Sequence, residues 1–227
     1  ASGGATSIPG TVQPVLDAQS LIDTLGVGLG LGNAIAVLRI KLAFPPEVFA
    51  LAARPLIDGH AEFVQILPVA GSGRFGQLGG QLSRALATAI RALDRRRGQI
   101  LPRGAAPEVI GAQAHRWTYA VFVAALLRDL ANASQGMQVW MQLGTGTPCA
   151  WVPAAGPMQV CGALGYRIET LPAGAPSDEV DPAIALRLFE RCVPAPIQDW
   201  LREDQALMAE LRACLGGLAD PVGVITE

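Results

Sequence analysis

A chain of 227 residues with 51% apolar content makes one large domain or two small ones and can fill a real core. Its net charge of −2 excludes a global electrostatic pull toward nucleic acid or anionic membrane. The charge is unevenly spread, however. Between Arg74 and Arg103 there are seven arginines and one acid, Asp94, whereas from Ile168 onward eleven acids face four arginines. The chain is therefore basic in its middle and acidic toward its C-terminal end. Sixteen of its seventeen basic residues are Arg, which we read as compositional bias rather than function.

The cysteines at 149, 161, 192 and 214 form no CxxC and no secretory pattern. Free or buried thiols are the expectation, with a Cys149–Cys161 bridge left open. The longest uncharged apolar run, Leu25 to Leu38, is too short and too glycine-rich to span a bilayer. No signal peptide is visible, so a cytoplasmic protein with no membrane partner is expected. The chain does not begin with Met. The end, from Asp220 to Glu227, reads as a helix cut just after it starts, so a piece of a longer protein is expected.

In chain order, residues 1–14 are small, polar and Pro/Gly-containing and read as a flexible tail. Asp17 to Leu25 reads as a short helix with Asp17 as its cap. The glycine-rich stretch from Gly26 to Gly32 lacks GxGxxG spacing and a preceding strand, which rejects a dinucleotide loop. It reads instead as a flexible turn before a helix from Asn33 to Phe44. Pro45-Pro46 opens a helix predicted over about Glu47 to Leu67. Gln77 to Arg97 is amphipathic, with Leu82, Leu86, Ala89, Ile90 and Leu93 at helical spacing. Pro107 to about Ala131 reads as a largely buried helix, through Trp117, Val121, Ala124, Ala125 and Leu126. The period then changes. Met137–Leu143, Cys149–Val152 and Tyr166–Leu171 read as short strands. Asp181–Cys192, Pro196–Leu201 and Asp204–Leu215 return to helix, closed by Gly216-Gly217. The fold class is mostly α, with a small β subdomain after the central helices. The divisions expected are a tail (1–14), a helical core (15–135), a β insertion (136–172) and C-terminal helices packing on the core (173–227).

The stretch from Leu67 to Arg84, with its double glycine Gly79-Gly80, resembles a segment of the TraI-like (MobH-type) relaxase family of conjugative elements. So do the run Arg116-Trp117-Thr118-Tyr119-Ala120-Val121-Phe122 and the segment Trp200-Leu201-Arg202-Glu203-Asp204. The resemblance implies an HD-like helical bundle and a metal-dependent nickase domain. In such a site, imidazoles and carboxylates from several helices hold divalent ions that activate water. The family has a run of histidines where Gly73, Arg74 and Phe75 stand. It has another histidine where Arg84 stands, and a His-Asp pair where Arg128-Asp129 stands. Glycine and phenylalanine offer no lone pair, and arginine stays protonated. Only Asp129 remains of the set, so the reading assigns no catalytic residue, no metal and no cofactor, and does not assign an enzymatic activity.

His60 and His115 do not fall on ligand positions and read as surface or hydrogen-bonded structural histidines. A migrated metal site using them with Asp129 is the lesser alternative. Ser72, between two glycines, has no neighbouring base. No Walker loop exists, since the only lysine is Lys41. The former metal pocket would comprise Gly73, Arg74, Phe75, Arg84, Arg128 and Asp129. Either an Arg84 or Arg128 ion pair with Asp129 plugs it, or its arginines bind phosphate without cutting. Arg84, Arg91 and Arg95 fall roughly on one face of their helix, and Arg96 and Arg97 extend the basic character. All of these, with Arg74, are candidate phosphate or nucleic-acid contacts, although a solvated helix end gives the same pattern. The expected function is a catalytically degenerate TraI-like domain of a mobile element that binds DNA or a DNA-processing partner. The alternatives are a pseudoenzyme sensing a small phosphorylated ligand, and a metal-dependent phosphodiesterase or relaxase with relocated ligands.

Overall fold

The computed structural model describes residues 10–144, 146–172, 174–175 and 180–216. The predicted helix start at Asp220 lies outside them, as does Gly217. Among the described residues the fold is mostly α: nine α-helices and one small antiparallel sheet.

Asp17 caps the first helix as its sequence predicts, accepting from Ser20 N at 2.7 Å. That helix, α1 (Ala18–Leu29), does not stop at the glycines. It runs through Gly26 and Gly28 and breaks only at Gly30, whose φ of 64° starts α2 (Leu31–Leu42). The predicted flexible turn is thus a single residue. The reason is packing: Leu25 and Leu29, one turn apart, lie on the bare backbone of Gly79. A Cβ there would come within 2.8 Å of both side chains. That contact outweighs a helix-interior glycine cost of about 1 kcal/mol each. α1 and α2 meet at 100°, and no single helix among the described residues is long and apolar enough to cross a membrane.

The single helix predicted from Glu47 to Leu67 is two: α3 (Pro46–Ala52) and α4 (Arg54–Val64). Pro55 lacks an N–H and crowds the preceding turn, so the chain restarts there. α4 ends at Gln65, a non-glycine residue with φ 48°. The buried Gln65 amide accepts from Leu16 N and donates to Leu16 O, both at 2.9 Å, which ties the chain before α1 to the end of α4.

α5 (Gly80–Arg97) and α6 (Pro107–Leu127) form the central pair. Leu82, Leu86, Ala89 and Leu93 of α5 are buried and Ile90 is half-buried. α6 is buried continuously from Tyr119 to Leu127. Short 3₁₀ turns follow at Leu130–Asn132 and later at Pro153–Ala155.

The sheet comprises β1 (Gln13–Pro14), β2 (Met137–Leu143), β3 (Cys149–Trp151) and β4 (Ala163–Thr170), in the order β1-β4-β2-β3. β1 was not foreseen. It lies in the segment expected as a tail, and its two residues pair with Tyr166 and Gly165. Met137, Val139 and Met141 alternate inward, as the period of two requires. Trp151 meets Phe63 of α4 edge-on, with ring centroids 5.7 Å apart, seating the sheet on the helices.

Three helices close the fold: α7 (Ile184–Cys192), α8 (Ala195–Arg202) and α9 (Gln205–Leu215), the last capped by Asp204. Gly59 lets α7 approach α4, since a Cβ there would overlap the sulfur of Cys192. Two motifs far apart in sequence also converge here. Arg116 of α6 pairs with Glu203 and lies over the Trp200 ring at 5.5 Å, while Tyr119 stands 6.2 Å from the same ring. The Tyr119 hydroxyl donates to Ala52 O at 2.6 Å.

Candidate functional site

α4, α5 and the end of α6 enclose a small pocket lined by His60, Gln81, Arg84, Thr88 and Asp129, among others. Its cavity is about 10 Å³, close to the minimum for one water molecule. Arg84 reaches Asp129 at 3.4 Å and the Gln81 side-chain oxygen at 3.3 Å. Arg128 also approaches Asp129, at 3.9 Å from its Nε. The structure therefore brings together three residues singled out from sequence, Arg84, Arg128 and Asp129. Gly73, Arg74 and Phe75 are not among the residues lining the pocket. They lie on the loop between α4 and α5, with the Arg74 guanidinium 5.1 Å from its neighbour's ring.

The pocket's other chemical member is His60. Neither a surface position nor a hydrogen-bonded one describes it: His60 is 3% exposed and its Nδ1 has no hydrogen-bond partner. Burial pushes its pKa down to about 4, and the Arg84 charge adds to the effect. The imidazole is neutral at neutral pH. Its apolar-face spacing on α4, between Ile57 and Val64, was the available signal for burial. His115 stands elsewhere. It is exposed on the N-terminal half of α6, about 20 Å along the helix axis from Asp129.

A divalent ion, implied by the resemblance for this family's pocket, does not fit these residues. Among the described residues no three His, Cys, Asp or Glu side chains converge as ligands. Arg84 instead sets a fixed positive charge against the one carboxylate. Nor is the ion pair a deeply buried one. Asp129 keeps 42% of its side chain exposed and Arg84 26%, so solvent screens the attraction. Asp129→Ala is accordingly expected to cost less than about 1 kcal/mol in a urea melt. A loss above about 3 kcal/mol, the range for breaking a buried pair, would contradict that.

The remaining arginines of α5 divide. Arg91, Arg95 and Arg97 are exposed. Arg96 is not: it is 8% exposed and donates to Gln99 O at 2.7 Å, closing the helix end. Its guanidinium faces inward and is spent on the backbone. Sequence reasoning missed a second contributor, because it lies outside the arginine-rich segment. Lys41, in the last turn of α2, pairs with Asp94 of α5. The pair neutralises the only acid in the stretch and sets the ends of α2 and α5 side by side. Arg39, also exposed, stands two residues before Lys41. Arg39, Arg91, Arg95 and Arg97 thus lie within three residues of that pair on their own helices, and both helix C-termini favour positive charge. The four cysteines carry free thiols.

Residues 33–227 match the family model TraI_2, described as "Putative helicase". The match covers well over half of the chain, and the chain belongs to this TraI-like family. No curated protein matches it.

Proposed function

We propose that this domain contacts a nucleic-acid backbone without cutting it, as one module of a conjugation or DNA-processing protein. Family membership supports the setting. The observation that carries the contact is the basic end built from two helices. Arg91, Arg95 and Arg97 are exposed within three residues of Asp94, whose negative charge Lys41 offsets, and Arg39 is exposed in the last turn of α2. Four guanidiniums at one end suit phosphate oxygens, which they bind by charge-assisted hydrogen bonds. Aromatic side chains for base stacking are sparse on that stretch, so backbone contact outweighs sequence reading. The pocket does not compete for this role: Arg84 is engaged by Asp129, and about 10 Å³ leaves no room for a phosphoryl group without opening. On this reading the HD-like arrangement persists as scaffold, its ligand positions given over to an ion pair.

The test is fluorescence anisotropy with labelled single- and double-stranded DNA across a salt series. The wild-type slope of log affinity against log salt is expected to flatten by about two to three in Arg91→Ala/Arg95→Ala/Arg97→Ala, since each phosphate contact contributes about 0.7–0.9. Arg74→Ala/Arg84→Ala is expected to change it by no more than one. Absence of binding at low salt, or an unchanged slope in the triple variant, overturns the proposal.

A further inference from the structure

A second, larger cavity lies away from both the histidine pocket and the basic helix end. It is a groove of about 230 Å³ between the Pro153–Val160 turn and α7. Its floor is apolar: Phe63, Pro153, Pro157, Ile184 and Leu188. Its rim is not. Arg187 and Arg191, one turn apart on α7, both line it and set two guanidiniums along the same edge. Arg187 already donates to Asp181 at 2.7 Å, which offsets part of its charge. Arg191 is exposed and has no ion-pair partner among the described residues. The groove therefore combines an apolar trough with a cation at its lip, Arg191, that makes no ion pair among the described residues.

We propose that this groove binds a small aryl or alkyl carboxylate, with its apolar body on Phe63 and Leu188 and its carboxylate on Arg191. Size supports the body. An apolar cavity of about 150 Å³ accepts a benzene ring, and about 230 Å³ takes a phenyl ring with a short chain. Charge supports the head group. A fixed cation beside an apolar trough rewards an anion on an apolar stem over a neutral alcohol of the same shape. The proposal is independent of nucleic-acid binding, since none of the groove residues belongs to the α2/α5 end.

The experiment uses the whole chain and 3-phenylpropanoate as probe, followed by saturation-transfer and amide-shift NMR titration, with 3-phenylpropanol as the neutral comparator. Saturable binding is expected for the acid. Arg191→Gln is expected to weaken it at least tenfold. Val160→Asp is expected to do the same by placing a carboxylate at the rim; Val160 is 65% exposed, so this change leaves the fold intact. Equal affinity for the alcohol, unchanged binding in both variants, or no saturation up to about 10 mM would overturn the proposal. So would tenfold tighter binding of acetyl-Gly-Gly-Phe with a free C-terminus, which would make the occupant a peptide end.

Discussion

Replacing Gly80 by alanine is expected to lower stability by at least about 3 kcal/mol. For a domain of this length that corresponds to a melting point lower by about 6–12 °C. Gly80 opens α5, and a Cβ there would sit on the Phe75 carbonyl oxygen. The atom in the way belongs to the backbone, so no rotamer change relieves it. The Phe75 carbonyl is itself held, accepting from Val69 N at 2.9 Å. Relief therefore requires the loop between α4 and α5 to move as a unit, away from the bonds Gly79 N to Ile66 O and Gln81 N to Leu67 O. Gly73→Ala, in the same loop, meets nothing within 4 Å and is expected to be neutral to within about 0.5 kcal/mol. Thermal and urea melts of the two variants check the contrast. Equal melting points would mean that the loop is softer than its hydrogen bonds indicate.

Acidification is expected to unfold the protein partly through His60. In the folded state its pKa is pushed down to about 4, while an unfolded histidine titrates near 6.5. Between those values the unfolded chain holds a proton that the folded chain does not. Stability contributed by neutral His60 is therefore complete above about pH 6.5 and declines as pH falls toward 4. Fully developed, the loss amounts to about 3 kcal/mol. Carboxylates titrate across the lower part of this window, so the informative quantity is a difference. His60→Leu keeps an apolar filling on α4 and is expected to remove about one proton from the pH dependence of urea-melt stability between pH 6.5 and 4.5. If wild type and variant run parallel there, His60 is not buried as a neutral group.

Much of the fold was legible because local pattern and tertiary environment agree. β2 alternates Met137, Val139 and Met141 inward and pairs on both sides, so its period of two survives intact. Leu82, Leu86, Ala89 and Leu93 of α5 are buried, as their spacing predicts. What escaped involves the chain acting at a distance. The α1 helix continues through Gly26 and Gly28 because Leu25 and Leu29 find Gly79, fifty residues on, and no local rule records that contact. Pro55 is a local signal for the break between α3 and α4 that the reading of one helix over Glu47 to Leu67 did not use. β1 is two residues long and takes its partners from β4, too little for periodicity to register. In the site, the resemblance left open whether Arg84 or Arg128 would pair with Asp129, and both approach it, Arg84 at 3.4 Å and Arg128 at 3.9 Å. Resemblance alone did not place His60 in the same pocket, nor show that Arg96 turns inward. Burial of one side chain depends on what packs above it, which spacing along its own helix only partly encodes.

The pairing of Gln13 and Pro14 with Gly165 and Tyr166 sets the order in which the chain can assemble. Leu16, just beyond that strand, is held by Gln65, a contact available once the first few helices exist. The sheet edge is different: its two sides are about 150 residues apart and cannot meet before β4 is made. At synthesis rates of about 5–20 residues per second, the segment ahead of α1 waits about 8–30 seconds for its partner. During that wait the seat for Trp151 on α4 is also unfilled, and Phe63 lies open. The β2–β3 and β2–β4 pairings are close in sequence, so the β1–β4 edge is the long-range step of the sheet and the one expected to close late. A ribosome stalled before Ala163 would therefore carry a chain whose Gln13–Pro14 segment has no strand to pair with.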